Sequence, residues 1–184
     1  MTKTWLITGA SSGFGRGMAE RLLARGDQVI ATVRRQGSLD DLAAQYHDRL
    51  RVVYLDVTDT DGVQAAVNQA FADFKRIDVI VSNAGYGILG TVEETSIDQM
   101  RDIIETNLMG SMVLIKAALP HLRAQGFGRI VQVSSEGGQI AYPGFSLYHA
   151  SKWGIEGFIE SLAKEVQPFD IDFMIVEPGP SRTA

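Results

Sequence analysis

The sequence predicts an α/β fold, a doubly wound parallel sheet with helices on both faces and so three layers, α/β/α. Three observations carry this. Short β-rich runs alternate strictly with longer helical patterns, which implies right-handed crossovers. The β runs are apolar almost throughout, as in strands buried on both faces of a parallel sheet. Glycine-rich punctuation falls just after the first, fourth and fifth runs, at 9–15, 85–90 and 137–138, where the ligands of such sheets bind.

Residues 4–8 (TWLIT) form the first predicted strand, and loop 9–15 leads into a helix near 14–25 with Met18, Leu22 and Leu23 on one face. Strand 28–33 (QVIATV), a helix near 39–46 and strand 51–55 (RVVYL) follow. On the next helix, near 62–75, Val63, Val67, Ala70, Phe71 and Phe74 recur at helical spacing and form an apolar face. Strand 77–82 (IDVIVS), a helical pattern near 98–118, strand 129–134 (RIVQVS), a helix near 147–164 and strand 171–176 (IDFMIV) complete the order. With no repeat and no Pro/Gly-rich linker, residues 1–184 read as a single domain long enough to bury a sizeable core.

Composition narrows the function classes. With 17 basic and 22 acidic residues the net charge is −5, and no Lys/Arg cluster exceeds a pair, which argues against a nucleic-acid surface. There is no cysteine, so disulfides and thiolate chemistry are excluded. No apolar run is expected to reach the length of a membrane span. The chain enters its first strand without a charged-then-apolar leader, and the expectation is a cytoplasmic protein that binds no membrane.

The loop Gly9-Ala10-Ser11-Ser12-Gly13-Phe14-Gly15 fits two patterns. Gly9 to Gly13 matches G-x-S-x-G, the nucleophile elbow of serine hydrolases, with Ser11 as nucleophile. That elbow sits mid-chain in its own fold and needs an acid and then a histidine downstream, and His47, His121 and His149 offer no such pairing. The position after the first strand instead suits a dinucleotide. The spacing is G-x-x-x-G-x-G rather than G-x-G-x-x-G. Gly9 is expected to turn the chain off the strand, Gly13 and Gly15 to admit a pyrophosphate to the helix N-terminus, and Ser11 and Ser12 to offer hydroxyls.

The end of the second strand reports on the ribose. NAD sites place Asp or Glu there, whereas this chain has Arg34-Arg35 after Val33. A guanidinium pairs with a 2′-phosphate, so NADP(H) is expected over NAD(H), with Arg34 as the reader.

Tyr148 and Lys152 stand four apart on a predicted helix, about 6 Å along its axis and on nearly the same face. A phenol with pKa about 10 is a poor base at neutral pH, and a nearby ammonium favours the phenolate. Such a tyrosine can give a proton to a carbonyl oxygen or take one from an alcohol. The Y-x-x-x-K spacing is weak alone. It gains weight from Ser134-Ser135, which ends the fifth strand, with Ser135 thirteen residues before the tyrosine.

Together these motifs resemble the short-chain dehydrogenase/reductase family, in the right order and over almost the whole chain. Thr8-Gly9 through Gly13-x-Gly15, including Phe14, is similar to its cofactor loop. Asp56-Val57 matches its adenine-contacting Asp, Asn83-Ala84-Gly85 its N-A-G, Asn107 its helix-borne asparagine, and Pro178-Gly179 with Thr183 its P-G-x-x-x-T segment. Ser135, Tyr148 and Lys152 fall on its catalytic serine, tyrosine and lysine.

The resemblance implies a Rossmann-like fold and an NADP(H)-dependent oxidoreductase that interconverts a carbonyl and an alcohol, without a metal. Ser135 would polarise the substrate oxygen, and Tyr148 would act as general acid or base. Lys152 would lower the tyrosine's pKa and hold the nicotinamide ribose, and Asn107 would keep a water in a proton relay. The alternative is a non-catalytic NADP(H)-binding or redox-sensing module, against which the intact catalytic set argues. A homodimer or homotetramer is expected through the helices at 98–118 and 147–164.

Some readings stay open at this level. Asn107 could instead satisfy buried backbone groups, and Ser134 could stand in for Ser135. Glu136 is either a substrate contact or a solvated rim charge. Met109 and Met112 read as core or interface filler, and His149, about 100° round the helix from Tyr148, as a surface or interface residue. Tyr86, Tyr142, Pro143 and Phe145 suggest an apolar pocket for a small-molecule carbonyl or alcohol. The family's lid segment, further helix and last strand have no counterpart up to Ala184. The sequence is therefore expected to be a truncated form or part of a longer chain, leaving strand 171–176 as a sheet edge.

Overall fold

A computed structural model describes residues 2–181. The strands are β1 (Thr4–Ile7), β2 (Gln28–Val33), β3 (Leu50–Tyr54), β4 (Val79–Ser82), β5 (Gly128–Val133) and β6 (Ile171–Val176). All pairs are parallel, in the order β3-β2-β1-β4-β5-β6. The chain reverses its direction of winding between β1 and β4, the switch point at which such sheets open a ligand crevice. The helices are α1 (Gly13–Arg25), α2 (Asp40–Gln45), α3 (Thr60–Phe74), α4 (Ile97–Ile104), α5 (Gly110–Gln125) and α6 (Ser146–Val166).

β1 to β5 feed both faces because successive side chains alternate, while the edge strand β6 packs only Ile171, Phe173 and Ile175 against one core. Leu6, Ile30, Ile80 and Ile130 join α3, α5 and α6 in one core, through Val63, Val67, Leu114, Ile115, Ile155 and Ile159. Ile7, Val29, Ala31 and Val81 join α1 and α2 in a second, through Ala19, Leu22, Leu23 and Leu42. The continuous apolar runs of the sequence are thus two half-patterns superposed.

The helical pattern expected over 98–118 is longer. α4 and α5 are joined by a π-helical turn, Glu105–Met109, and α5 runs through Pro120 to Gln125. Proline removes one N–H from the ladder, but the fully buried Leu122 beyond it holds the last turn in the core. Gly126, at φ 80°, ends the helix with its N–H on Leu122 O.

By length and composition Ile97–Gln125 passes for a membrane span, contrary to the expectation from the sequence. Its Leu114, Ile115, Ala117, Ala118 and Leu122 are buried, the packing of a core helix. β6 lies at the edge of the sheet with Met174 and Val176 exposed.

Candidate active site

A cavity of about 850 Å³ opens at the carboxyl ends of the strands. Its walls come from the loops after all six, so residues far apart in sequence meet there by topology.

The side that carries the glycine loop is built from bare backbone. Gly9 and Gly13 have φ of +66° and +56°, the left-handed region that glycine adopts without strain. A Cβ on Gly9 would also lie 2.8 Å from Ala84 Cα. Ser12 heads α1 in an extended conformation, with no side-chain cap and no acidic residue in the first turn. The first amides and the positive end of the helix dipole therefore face the cavity without a competing anion. Ser11, Ser12, Gly13 and Phe14 line it. This is a fitting cradle for a pyrophosphate.

Gly15 does something other than expected. It is buried behind the loop, away from the cavity wall, where a Cβ would fall on Gly9 O and within 2.6 Å of Asn83 Nδ2. Its role is close packing of α1 rather than admission of phosphate. Asn83 is part of that packing, because its Nδ2 donates to Thr8 O (2.9 Å) and Gly9 O (3.1 Å). Thr8 Oγ1 accepts from the N–H groups of Asn83 and Ala84. β1 and β4 thus lock the glycine loop from behind.

Arg34, Asp56 and Val57 line the next stretch, with Ala84 and Gly85 opposite. Asp56 Oδ1 accepts from Thr58 N–H and Thr58 Oγ1. The Thr58 amide first, then its hydroxyl and the Arg34 charge, outweigh desolvation and hold the Asp56 carboxyl below its ordinary range. Arg34 is exposed at the rim and available to an anion. Val57 is buried against Gly110, where any Cβ would lie 2.9 Å from Val57 Cγ2.

Ser135, Tyr148 and Lys152 share the same cavity. Ser135 Oγ accepts from Gly137 N–H at 3.1 Å and keeps its own proton to give. Ser134 is buried, and its hydroxyl donates to Glu156 Oε1, which separates the two serines: the first is structural, and the second lines the cavity together with the half-buried Tyr148. Lys152 Nζ donates to Val133 O (3.1 Å) and lies 5.6 Å from the centre of the Tyr148 ring. Burial pushes Lys152 down to about 8, against the pull of the Glu156 charge one turn on.

Asn107 lies buried in the π-helical turn. Its side chain accepts from Tyr86 N–H (3.0 Å) and donates to Tyr86 O (2.8 Å) and Ser151 Oγ (3.1 Å). The amide therefore binds both backbone groups of Tyr86, fixing the loop after β4. Pro178 and Gly179 line the cavity, with Pro178 O accepting from Glu136 N–H. Thr183 lies outside the described residues.

His149 is not at the surface. It is 7% exposed, with Nδ1 donating to Gly137 O (2.8 Å) and Nε2 accepting from Tyr142 N–H (2.8 Å). The turn that carries Ser135 curls back over α6 and buries the ring. Sequence reading assigned no role to Ser151 or Glu156, and it marked Thr8 only as the start of the glycine loop. Only Glu156 left a signal, since it continues the Tyr148, Lys152 row by one further helical turn.

A parallel sheet with a glycine cradle at its switch point, and a serine, a tyrosine and a buried lysine in the same cavity, has the architecture of a nucleotide-binding α/β protein. The sequence profile described as short chain dehydrogenase matches residues 3–184, and the chain belongs to that family. It is 46% identical over 184 residues to "Oxidoreductase BOA17" of Botryotinia fuckeliana, covering 100% of this chain and 67% of that protein. The solved structure of a short-chain dehydrogenase from Streptomyces avermitilis superposes with a TM-score of 0.95 at 47% identity, over 99% of this chain and 67% of that one. ElxO with NADP bound gives 0.94 at 30% identity, over 100% of this chain and 75% of that one. A Burkholderia phymatum neighbour is in complex with NAD, so family membership alone does not choose the cofactor. The chain spans about two thirds of the length of the curated relatives it matches.

Proposed function

We propose that this chain carries the cofactor-binding and proton-transfer parts of an NADP(H)-dependent oxidoreductase that interconverts a carbonyl and an alcohol. The observation that carries the reading is Lys152, an ammonium buried against the Tyr148 ring at the floor of the cavity. A buried lysine is costly, and this one lines the same cavity as Tyr148, with its Nζ 5.6 Å from the centre of the phenol ring.

In reduction Tyr148 donates its proton to the carbonyl oxygen while Ser135 Oγ–H polarises the same oxygen; in oxidation Tyr148 removes the proton. When bound, the nicotinamide supplies or accepts the hydride at the carbon. Gly9, Ser11, Ser12, Gly13 and Phe14 would hold its phosphates, and Asp56, Val57 and Asn83 to Gly85 its adenosine half. Arg34 would pair with a 2′-phosphate, which favours NADP(H). Tyr86, Tyr142 and Phe145 line the cavity near Tyr148 and suit a substrate with an apolar body. Exposed Met109 and Trp153 fit burial between copies of the chain in a homodimer or homotetramer, and a cytoplasmic location belongs to the same proposal.

Titration with NADPH and NADH by fluorescence tests the cofactor. Tighter binding of NADPH is expected, and equal affinity would remove the role given to Arg34.

A further inference from the structure

The turn after β5, residues 134–142, carries Ser135, while Tyr148 and Lys152 stand on α6. Nothing covalent fixes one to the other over the intervening chain, yet a single substrate oxygen must meet both hydroxyls. Two further side chains of α6 grip that turn at four points. His149 takes Gly137 O and Tyr142 N–H, each at 2.8 Å. Glu156 takes Ser134 Oγ, the residue just before the catalytic serine, and Gln139 Nε2 at 2.5 Å, four residues after it.

Both side chains are buried, at 7% and 4% exposure, and both ring nitrogens and both carboxylate oxygens are used. The glycines of the turn corroborate the grip. A Cβ on Gly137 would lie 2.8 Å from His149 Nδ1, and one on Gly138 would collide with Glu156 Oε1. The Gly137-Gly138 pair is therefore the imprint of these two side chains on the backbone.

We propose that His149 and Glu156 are positioning residues: they clamp the serine-bearing turn onto α6, so that one rigid helix sets the separation of the Ser135 and Tyr148 hydroxyls. This rests on the reading that those two groups act together on the substrate oxygen. Neither clamp residue touches the reacting atoms; each acts through the turn.

The test combines kinetics with amide exchange in the full chain. Glu156→Ala and His149→Phe are expected to lower kcat about 10- to 100-fold, the usual consequence of a misplaced catalytic group. NADPH affinity should stay within about twofold, because the lost geometry matters in the transition state. Glu156→Gln keeps an oxygen for Ser134, and the Gln139 amide can turn its own oxygen toward the new NH2. It should therefore restore kcat to within about threefold of the parent, since both hydrogen bonds survive. Without any cofactor, exchange at Gly138 and Tyr142 N–H should rise about tenfold in Glu156→Ala and His149→Phe, with β1 and β4 unchanged.

Unchanged kcat and exchange in both variants would overturn the proposal. So would Glu156→Gln as impaired as Glu156→Ala, or kcat falling only in step with cofactor affinity and thermal midpoint. Tyr148→Phe serves as the separate control. If it retains turnover, the proposed acid is wrong, while the exchange result still decides the clamp.

Discussion

The two halves of the cavity are built on opposite principles. The side proposed for the phosphates, from Gly9 to Gly15, works by leaving side chains out: two glycines at positive φ, a third packed against Asn83, and a helix start with no capping side chain. The side proposed for proton transfer works by burying polar side chains, with Asn107, Ser134, His149, Ser151, Lys152 and Glu156 all inside. An anion is recognised well by fixed backbone dipoles, which need close approach. Proton transfer needs titratable groups held at set spacing, which takes a network of partners. One half is therefore vulnerable to an added methyl group, the other to a removed polar atom.

Four substitutions break or sharpen that contrast. The largest effect is expected from Tyr148→Phe, which removes one oxygen from the buried-polar half. It should cost about 10³-fold in turnover, within the range for loss of a general acid, with NADPH binding nearly intact by fluorescence titration.

Lys152→Met comes next and acts in opposite directions on function and stability. The folded state holds Lys152 at about 8 against an ordinary 10.5, worth about 3 kcal/mol against the folded state at pH 7. The variant should lose turnover yet resist urea better than the parent, by up to that amount. Between pH 8 and 10.5 the unfolded parent binds the extra proton, so its stability rises with pH and the gap closes. A parent whose stability does not rise in that window would show that the lysine is not desolvated.

On the glycine side, Gly15→Ala places a methyl group on Gly9 O and Asn83 Nδ2. Overpacking of this kind costs about 1–3 kcal/mol, seen as a lowered denaturation midpoint, and NADPH affinity should fall with it while Tyr148 and Lys152 stay in place. The smallest effect belongs to Arg34→Ala, at the exposed rim, where loss of a charge-assisted pair should lower the preference for NADPH over NADH by about tenfold.

The order of strands and helices was legible in the sequence, because a buried parallel strand and a one-faced helix each write a local pattern. The sequence also marked the glycine loop and the Tyr148, Lys152 pair, whose spacings lie within one turn and one helix, and Ser135 through its place at the end of a strand thirteen residues before the tyrosine. It placed Gly15 on the ligand and His149 at the surface or an interface, and it passed over Glu156. Those residues are decided by partners on other elements: Asn83 lies 74 residues from Gly9, and Glu156 lies 22 from Ser134. A sequence lists which groups can donate and accept. Which of them pair once water is gone depends on how separate elements pack, and only the folded chain brings β1 against β4 and the serine turn against α6.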